Sequence, residues 1–151
     1  MRILIADDNE RVRRGVMGMI SSEAGWSVCG EAVDGADALR KAKALLPDLI
    51  LLDINMPGLC GLEASRLLRR ELPEAKIVIM SQHDPIQLLP RAREAGAHGC
   101  VDKSDLASEL LPTIKRVCAD QVEPRAGAGD ENLGLEGTET VRTKTAFAGL
   151  D

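Results

Sequence analysis

Three uninterrupted apolar runs, each stopping on a polar side chain, constrain this chain more than anything else in it. ILIA (residues 3–6) stops at Asp7, LILL (49–52) at Asp53 and IVIM (77–80) at Ser81. A strand with one wet face alternates apolar and polar residues. A continuous run belongs to a strand covered on both faces, as strands in parallel sheets are. Two weaker strand signals, WSVCGEA (26–32) and GCVDK (99–103), bring the set to five.

The intervening segments repeat with helical period. Val12, Val16 and Ile20 lie four apart within 10–20, and DGADALRKAKALL (34–46) is amphipathic. From Gly61 to Leu72 the pattern turns Leu62, Leu67, Leu68 and Leu72 toward a sheet. A fourth helical stretch runs to Glu94, and Asp105 to Ala119 carries Leu106, Leu110, Ile114 and Val117 on one stripe. Five strand–helix units in about 120 residues predict an α/β fold: a doubly wound, five-stranded parallel sheet with helices on both faces. Past Val122 large apolar residues thin out. Residues 1–122 are therefore expected to form one domain and 123–151 a flexible tail with no recognisable output domain.

Composition narrows the function. With one Trp, one Phe and no Tyr, the chain lacks platforms for stacking nucleic-acid bases. A net charge of −5 argues against direct binding to a polyanion. Cys29, Cys60, Cys100 and Cys118 are widely spaced with no CxxC, which disfavours structural zinc and reads as free thiols in a reducing compartment. Asp7 and Asp8 interrupt the first apolar run, and no stretch approaches the roughly 20 apolar residues of a membrane span. The expected setting is cytoplasmic, away from any membrane.

In a parallel sheet the strand ends named above share one edge, where ligands bind in open α/β folds. That edge gathers Asp7 and Asp8 from the first strand, Asp53 from the third, Ser81 from the fourth and Lys103 from the fifth. Three neighbouring carboxylates raise one another's pKa and call for positive charge. A hard divalent cation such as Mg²⁺ suits oxygen ligands of this kind, and Lys103 supplies a second positive charge. Each residue also has a plain structural role open to it. Asp8-Asn9 suits a helix N-cap, Ser81 a hydroxyl bonded to backbone, and Lys103 a solvated surface position. Five suitable residues at matching strand ends are harder to assign to five separate coincidences.

The same residues carry a resemblance. ADDN at the first strand, LLDINMPGLCG around Asp53, MS at the fourth strand and DKS at the fifth resemble a response-regulator receiver domain of the CheY-like, flavodoxin-like type. AGAHGC and SQHD are similar to receivers of LuxR-type (NarL-like) two-component regulators. The resemblance covers about four-fifths of the chain. It implies that Asp53 accepts a phosphoryl group from a sensor histidine kinase or phosphotransfer protein. Asp8, Asp53 and the backbone carbonyl of Asn55 would ligate Mg²⁺, with Asp7 acting through water. Lys103 and Ser81 would contact the phosphoryl oxygens. Output would pass to an unidentified downstream protein or a homodimer, with no enzymatic activity beyond self-directed phosphoryl transfer and autodephosphorylation.

Departures from the family pattern concern output. Where receivers carry an aromatic three residues before the lysine, this chain has Cys100. Pro90 falls inside the expected fourth helix, which predicts a helix that starts late with Pro90 in its first turn, or one kinked there. Pro112 raises the same question for the last helix. LuxR-type regulators continue into a helix-turn-helix, so either a stand-alone receiver or a fragment of a DNA-binding regulator is expected. A pseudo-receiver that binds partners without phosphorylation is a further reading. A haloacid-dehalogenase-type enzyme fits poorly, since it needs DxD on the first strand. A dinucleotide-binding fold lacks its GxGxxG.

Overall fold

The computed structural model describes residues 1–120, and the expected tail, 123–151, lies outside the described residues. Met1–Lys115 form one compact unit. Strands β1 (Arg2–Ala6), β2 (Ser27–Ala32), β3 (Leu49–Asp53), β4 (Lys76–Ser81) and β5 (Gly99–Asp102) alternate with helices α1 (Glu10–Ser21), α2 (Gly35–Leu45), α3 (Gly61–Glu71), α4 (Pro85–Glu94) and α5 (Leu106–Asp120). A single 3-10 turn, Lys103–Asp105, separates β5 from α5. All strand pairs are parallel, in the order β2-β1-β3-β4-β5. The expected doubly wound sheet is therefore the one found. The order reverses direction between β1 and β3, which opens a crevice at their carboxyl ends.

Strand alternation divides the core. Leu4, Ala6, Ile50, Leu52, Ile77, Ile79 and Cys100 join one apolar cluster with residues of α2, α3 and α4. Ile3, Ile5, Leu49, Leu51, Val78, Met80 and Val101 point the other way and are equally buried, as are Val16 and Ile20 of α1 and Leu110 and Ile114 of α5. Every residue of β3 is buried, as its unbroken apolar run predicts. Several helix positions expected on the sheet side, Val12, Leu67, Leu72 and Leu106, are only half-buried, at the margins of their faces.

Of the two readings of Pro90, the late start is wrong. α4 begins five residues earlier, at Pro85, with Asp84 as N-cap accepting the Ile86 N–H at 2.9 Å. Pro85 takes the first-turn place that suits a missing N–H. Pro90 lies inside the helix and cannot donate to the Ile86 carbonyl. Ile86 is 81% exposed, so water reaches that region and the loss is tolerable. Pro112 likewise lies inside α5 without ending it.

The segment AGAHG fastens β5 to β4. Gly96 adopts φ +87°, where a side chain is strained, and a Cβ there would strike the Arg69 side chain. His98 then pairs twice with one residue: its N–H donates to the Ile77 carbonyl (2.7 Å), and its Nδ1 accepts the Ile77 N–H (3.0 Å). Because Nδ1 accepts, the neutral ring carries its proton on Nε2. Burial, reinforced by the Lys76 and Arg69 charges, pulls the His98 pKa down to about 4.

Candidate functional site

β1 and β3 are neighbours in register, with Ala6 opposite Leu52, so Asp7 and Asp53 arrive side by side at the sheet edge. Both are almost fully buried, at 0% and 2% exposure, while Asp8 is exposed. The three carboxylates offer oxygen atoms all within 4.8 Å of one another. Asp8 is not the α1 cap. Asn9 takes that role, its side chain accepting the Arg11 and Val12 N–H groups, which leaves Asp8 available to the cluster. The Asn9 N–H in turn donates to Asp7 Oδ1 at 2.8 Å, and Arg13 Nη1 donates to the Asp7 carbonyl at 2.7 Å.

Lys103 closes the site from the far side of β4. Asp102 Oδ1 accepts the Ser104 N–H (2.9 Å) and hydroxyl (2.7 Å), turning the chain as β5 ends. The Lys103 ammonium then lies 2.8 Å from Asp7 Oδ2 and 3.1 Å from Asp53 Oδ1. The solvated-lysine alternative is thereby excluded. Ser81 is fully buried, one position beyond Met80, the register partner of Asp53. Its Oγ accepts the His83 N–H at 2.9 Å, so for this residue the plain backbone-bonding role is the one realised. Asn55 is exposed, and its N–H donates to Asp53 Oδ1 at 3.2 Å.

Two glycines shape the loop that follows Asp53. Gly58 turns the chain at φ +75°. Gly61 begins α3 so close to the strand end that a Cβ would lie 2.3 Å from the Asp53 carbonyl oxygen and 2.6 Å from Ile54 Cα. Only glycine fits there.

The electrostatics are those of a negative pocket. Burial, then the Asp7 charge, raises the Asp53 pKa against the opposing pull of Lys103 and the Asn55 N–H. Burial also works against the Lys103 ammonium, but its contacts with Asp7 and Asp53 outweigh this and hold its pKa above the ordinary lysine value. Three carboxylates face one ammonium. Asp7 Oδ2 is buried, and among the described residues its close partner is the Lys103 ammonium at 2.8 Å. Hard oxygen donors with uncompensated negative charge fit a divalent cation such as Mg²⁺.

Sequence reasoning placed Asp7, Asp8, Asp53 and Lys103 together, and the structure does bring them within reach of one another. It missed the bridging of Asp7 and Asp53 by one lysine, and it missed His83, which acts through its backbone N–H. No side-chain pattern announces a backbone donor. Cys100 packs in the cluster beneath α4, with its thiol pKa pushed up to about 11 by burial and the Asp102 charge. No helix among the described residues is long and apolar enough to cross a membrane.

Comparisons with known proteins agree with this geometry. Residues 3–115 match the family described as "Response regulator receiver domain". The chain is 37% identical to the response regulator GacA of Pseudomonas viridiflava, over 80% of this chain but only 56% of that protein. The chain thus spans little more than half of this relative. Among solved structures, a LuxR-family two-component response regulator from Aurantimonas sp. SI85-9A1 superposes with a TM-score of 0.74 at 35% identity, covering 79% of this chain and 85% of that one. The response regulator TrrA of Thermotoga maritima, solved in complex with Mg(2+)-BeF, gives 0.68 at 31% identity, covering 77% and 97%. Fold, acidic pocket and matched sequence converge: this chain belongs to the receiver domains of two-component response regulators.

Proposed function

We propose that this chain accepts a phosphoryl group on Asp53 from a sensor histidine kinase or a phosphotransfer protein in the cytoplasm. The observation that carries the reading is the Lys103 ammonium held between two buried carboxylates, 3.1 Å from Asp53 and 2.8 Å from Asp7. An Asp53 oxygen attacks phosphorus, the P–N bond of the donor phosphohistidine breaks, and the imidazole leaves with the electron pair and takes up a proton. Phosphoryl transfer asks the protein mainly to position groups and offset charge. Lys103 would pair with a phosphoryl oxygen once Asp53 carries the acyl phosphate, a role supported by its 3.1 Å approach to Asp53 Oδ1. The Ser81 hydroxyl, one residue along the neighbouring strand, can donate to another after giving up its present orientation. Asp8, Asp53 and the Asn55 carbonyl would hold Mg²⁺, with Asp7 acting through water. When bound, that ion neutralises charge on the phosphoryl oxygens.

Output follows as a change in binding to a downstream protein or in self-association, and hydrolysis of the acyl phosphate resets the domain. The test is incubation with acetyl phosphate and Mg²⁺ followed by intact-mass spectrometry. One phosphate is expected on the wild-type chain and none on Asp53→Asn; equal labelling of the two refutes the assignment.

A further inference from the structure

Beside the acidic pocket lies a cavity of about 400 Å³ between the loop after β3 and helix α4. Its floor is apolar, made by Ile54, Leu62 and Leu88, with the Cys60 thiol at one side. Its rim is polar, with two carboxamides, an imidazole and a guanidinium: Asn55, Gln87, His83 and Arg91. No carboxylate lines it, and Arg91 makes no ion pair among the described residues. The volume falls in the range of small-molecule sites, roughly 300–1,000 Å³, which combine an apolar lining with a few convergent polar groups.

We infer that this cavity is a binding site for a small organic anion with an apolar body, such as an aryl or short alkyl carboxylate. The apolar part replaces water over Ile54, Leu62 and Leu88. The carboxylate meets the planar guanidinium of Arg91, which offers paired donors to such a group, and the amide groups of Asn55 and Gln87 accommodate either donor or acceptor. A cationic ligand finds no counter-charge on this rim.

The site also has a physical tie to the acid cluster. The Asn55 N–H donates to Asp53 Oδ1 at 3.2 Å, and the His83 N–H donates to Ser81 Oγ at 2.9 Å. Two rim residues thus hold the acceptor and its neighbouring hydroxyl through their backbones. A ligand that prefers one arrangement of these loops biases the state of Asp53, and by linkage the state of Asp53 biases ligand affinity. This coupling rests on the phosphoacceptor reading; binding itself does not.

The test is a titration of the ¹⁵N-labelled, unphosphorylated chain with 4-phenylbutyrate and with its uncharged amide, 4-phenylbutyramide. Amide shifts are expected to centre on Asn55, His83, Gln87 and Arg91, with the acid bound about tenfold more tightly than the amide, as a charge-assisted contact implies. Arg91→Gln should remove that preference, and Gln87→Trp, at an exposed position, should block both probes. Cys60 should also react more slowly with iodoacetamide when 4-phenylbutyrate is bound, as read by peptide mass mapping. Equal affinity for acid and amide, shifts centred elsewhere, or an Arg91→Gln chain that keeps the preference overturns the assignment. Because no phosphodonor is present, failure here is separate from failure of Asp53 to be labelled.

Discussion

Replacing His98 by asparagine should flatten the dependence of stability on pH below neutrality. In the folded chain the ring must stay neutral, because its Nδ1 accepts the Ile77 N–H and Lys76 and Arg69 add positive charge nearby. The unfolded ring titrates near 6.5 and the folded one at about 4. A pKa lowered by folding means that the unfolded chain binds the proton first, so this contribution is intact above pH 6.5 and is lost as pH falls toward 4. At about 1.4 kcal/mol per pH unit, linkage between those two values removes at most about 2 kcal/mol between pH 7 and pH 5. Water at a half-buried ring screens part of this and leaves about 1 kcal/mol. For a domain of this size that is a fall in Tm of roughly 4 °C. The side-chain amide oxygen of the replacement can take the place of Nδ1, so the variant keeps an acceptor for the Ile77 N–H but does not titrate. Thermal unfolding by circular dichroism at pH 7 and pH 5 should show a smaller drop for the variant than for wild type, by about that amount. Equal drops in the two chains refute the reasoning, since the carboxylates titrate alike in both.

Three further outcomes follow from the site. Lys103→Ala removes the cation that pulls the Asp53 pKa down, so the titration of Asp53, read from its side-chain carboxyl ¹³C shift, should move up; an unmoved titration contradicts the ion pair. Gly61→Ala drives a Cβ into the Asp53 carbonyl and Ile54 Cα and should cost about 1–3 kcal/mol in urea unfolding while slowing labelling by acetyl phosphate; a neutral effect on both contradicts the close approach. Loading with Mg²⁺ and beryllofluoride should shift amides around Asp53 strongly and those of residues 83–102 weakly, because Cys100 lacks the large ring surface that could redraw this face. Shifts of equal size in both regions show that the face responds without an aromatic.

Strand ends were the most legible part of this protein. An unbroken apolar run followed by a charge fixes both the strand and the place where it stops, so Asp7 and Asp53 could be set at one edge before any coordinates. Lys103 was legible for the same reason, though β5 ends at Asp102 and the lysine is delivered by a separate turn. A late start for α4 was one of two readings because Pro90 is a strong local signal, whereas the actual start depends on Asp84 capping Ile86 just before Pro85. The His98–Ile77 pair was invisible for another reason: it joins residues 21 positions apart through a ring nitrogen and a backbone N–H, and nothing in composition or period records such a bond.

Lys103 is also the last of the clustered charges to be synthesised. Asp7 and Asp53 are already in place when the ribosome has 50 residues still to add before their shared counter-ion exists. At roughly 5–20 residues per second that gap lasts about 3–10 seconds. A nascent chain that fully buried the ends of β1 and β3 during this interval would do so without the lysine between the two carboxylates, and a buried carboxylate left unpaired costs several kcal/mol. Vectorial folding from the N-terminus is therefore penalised at its central strand pair.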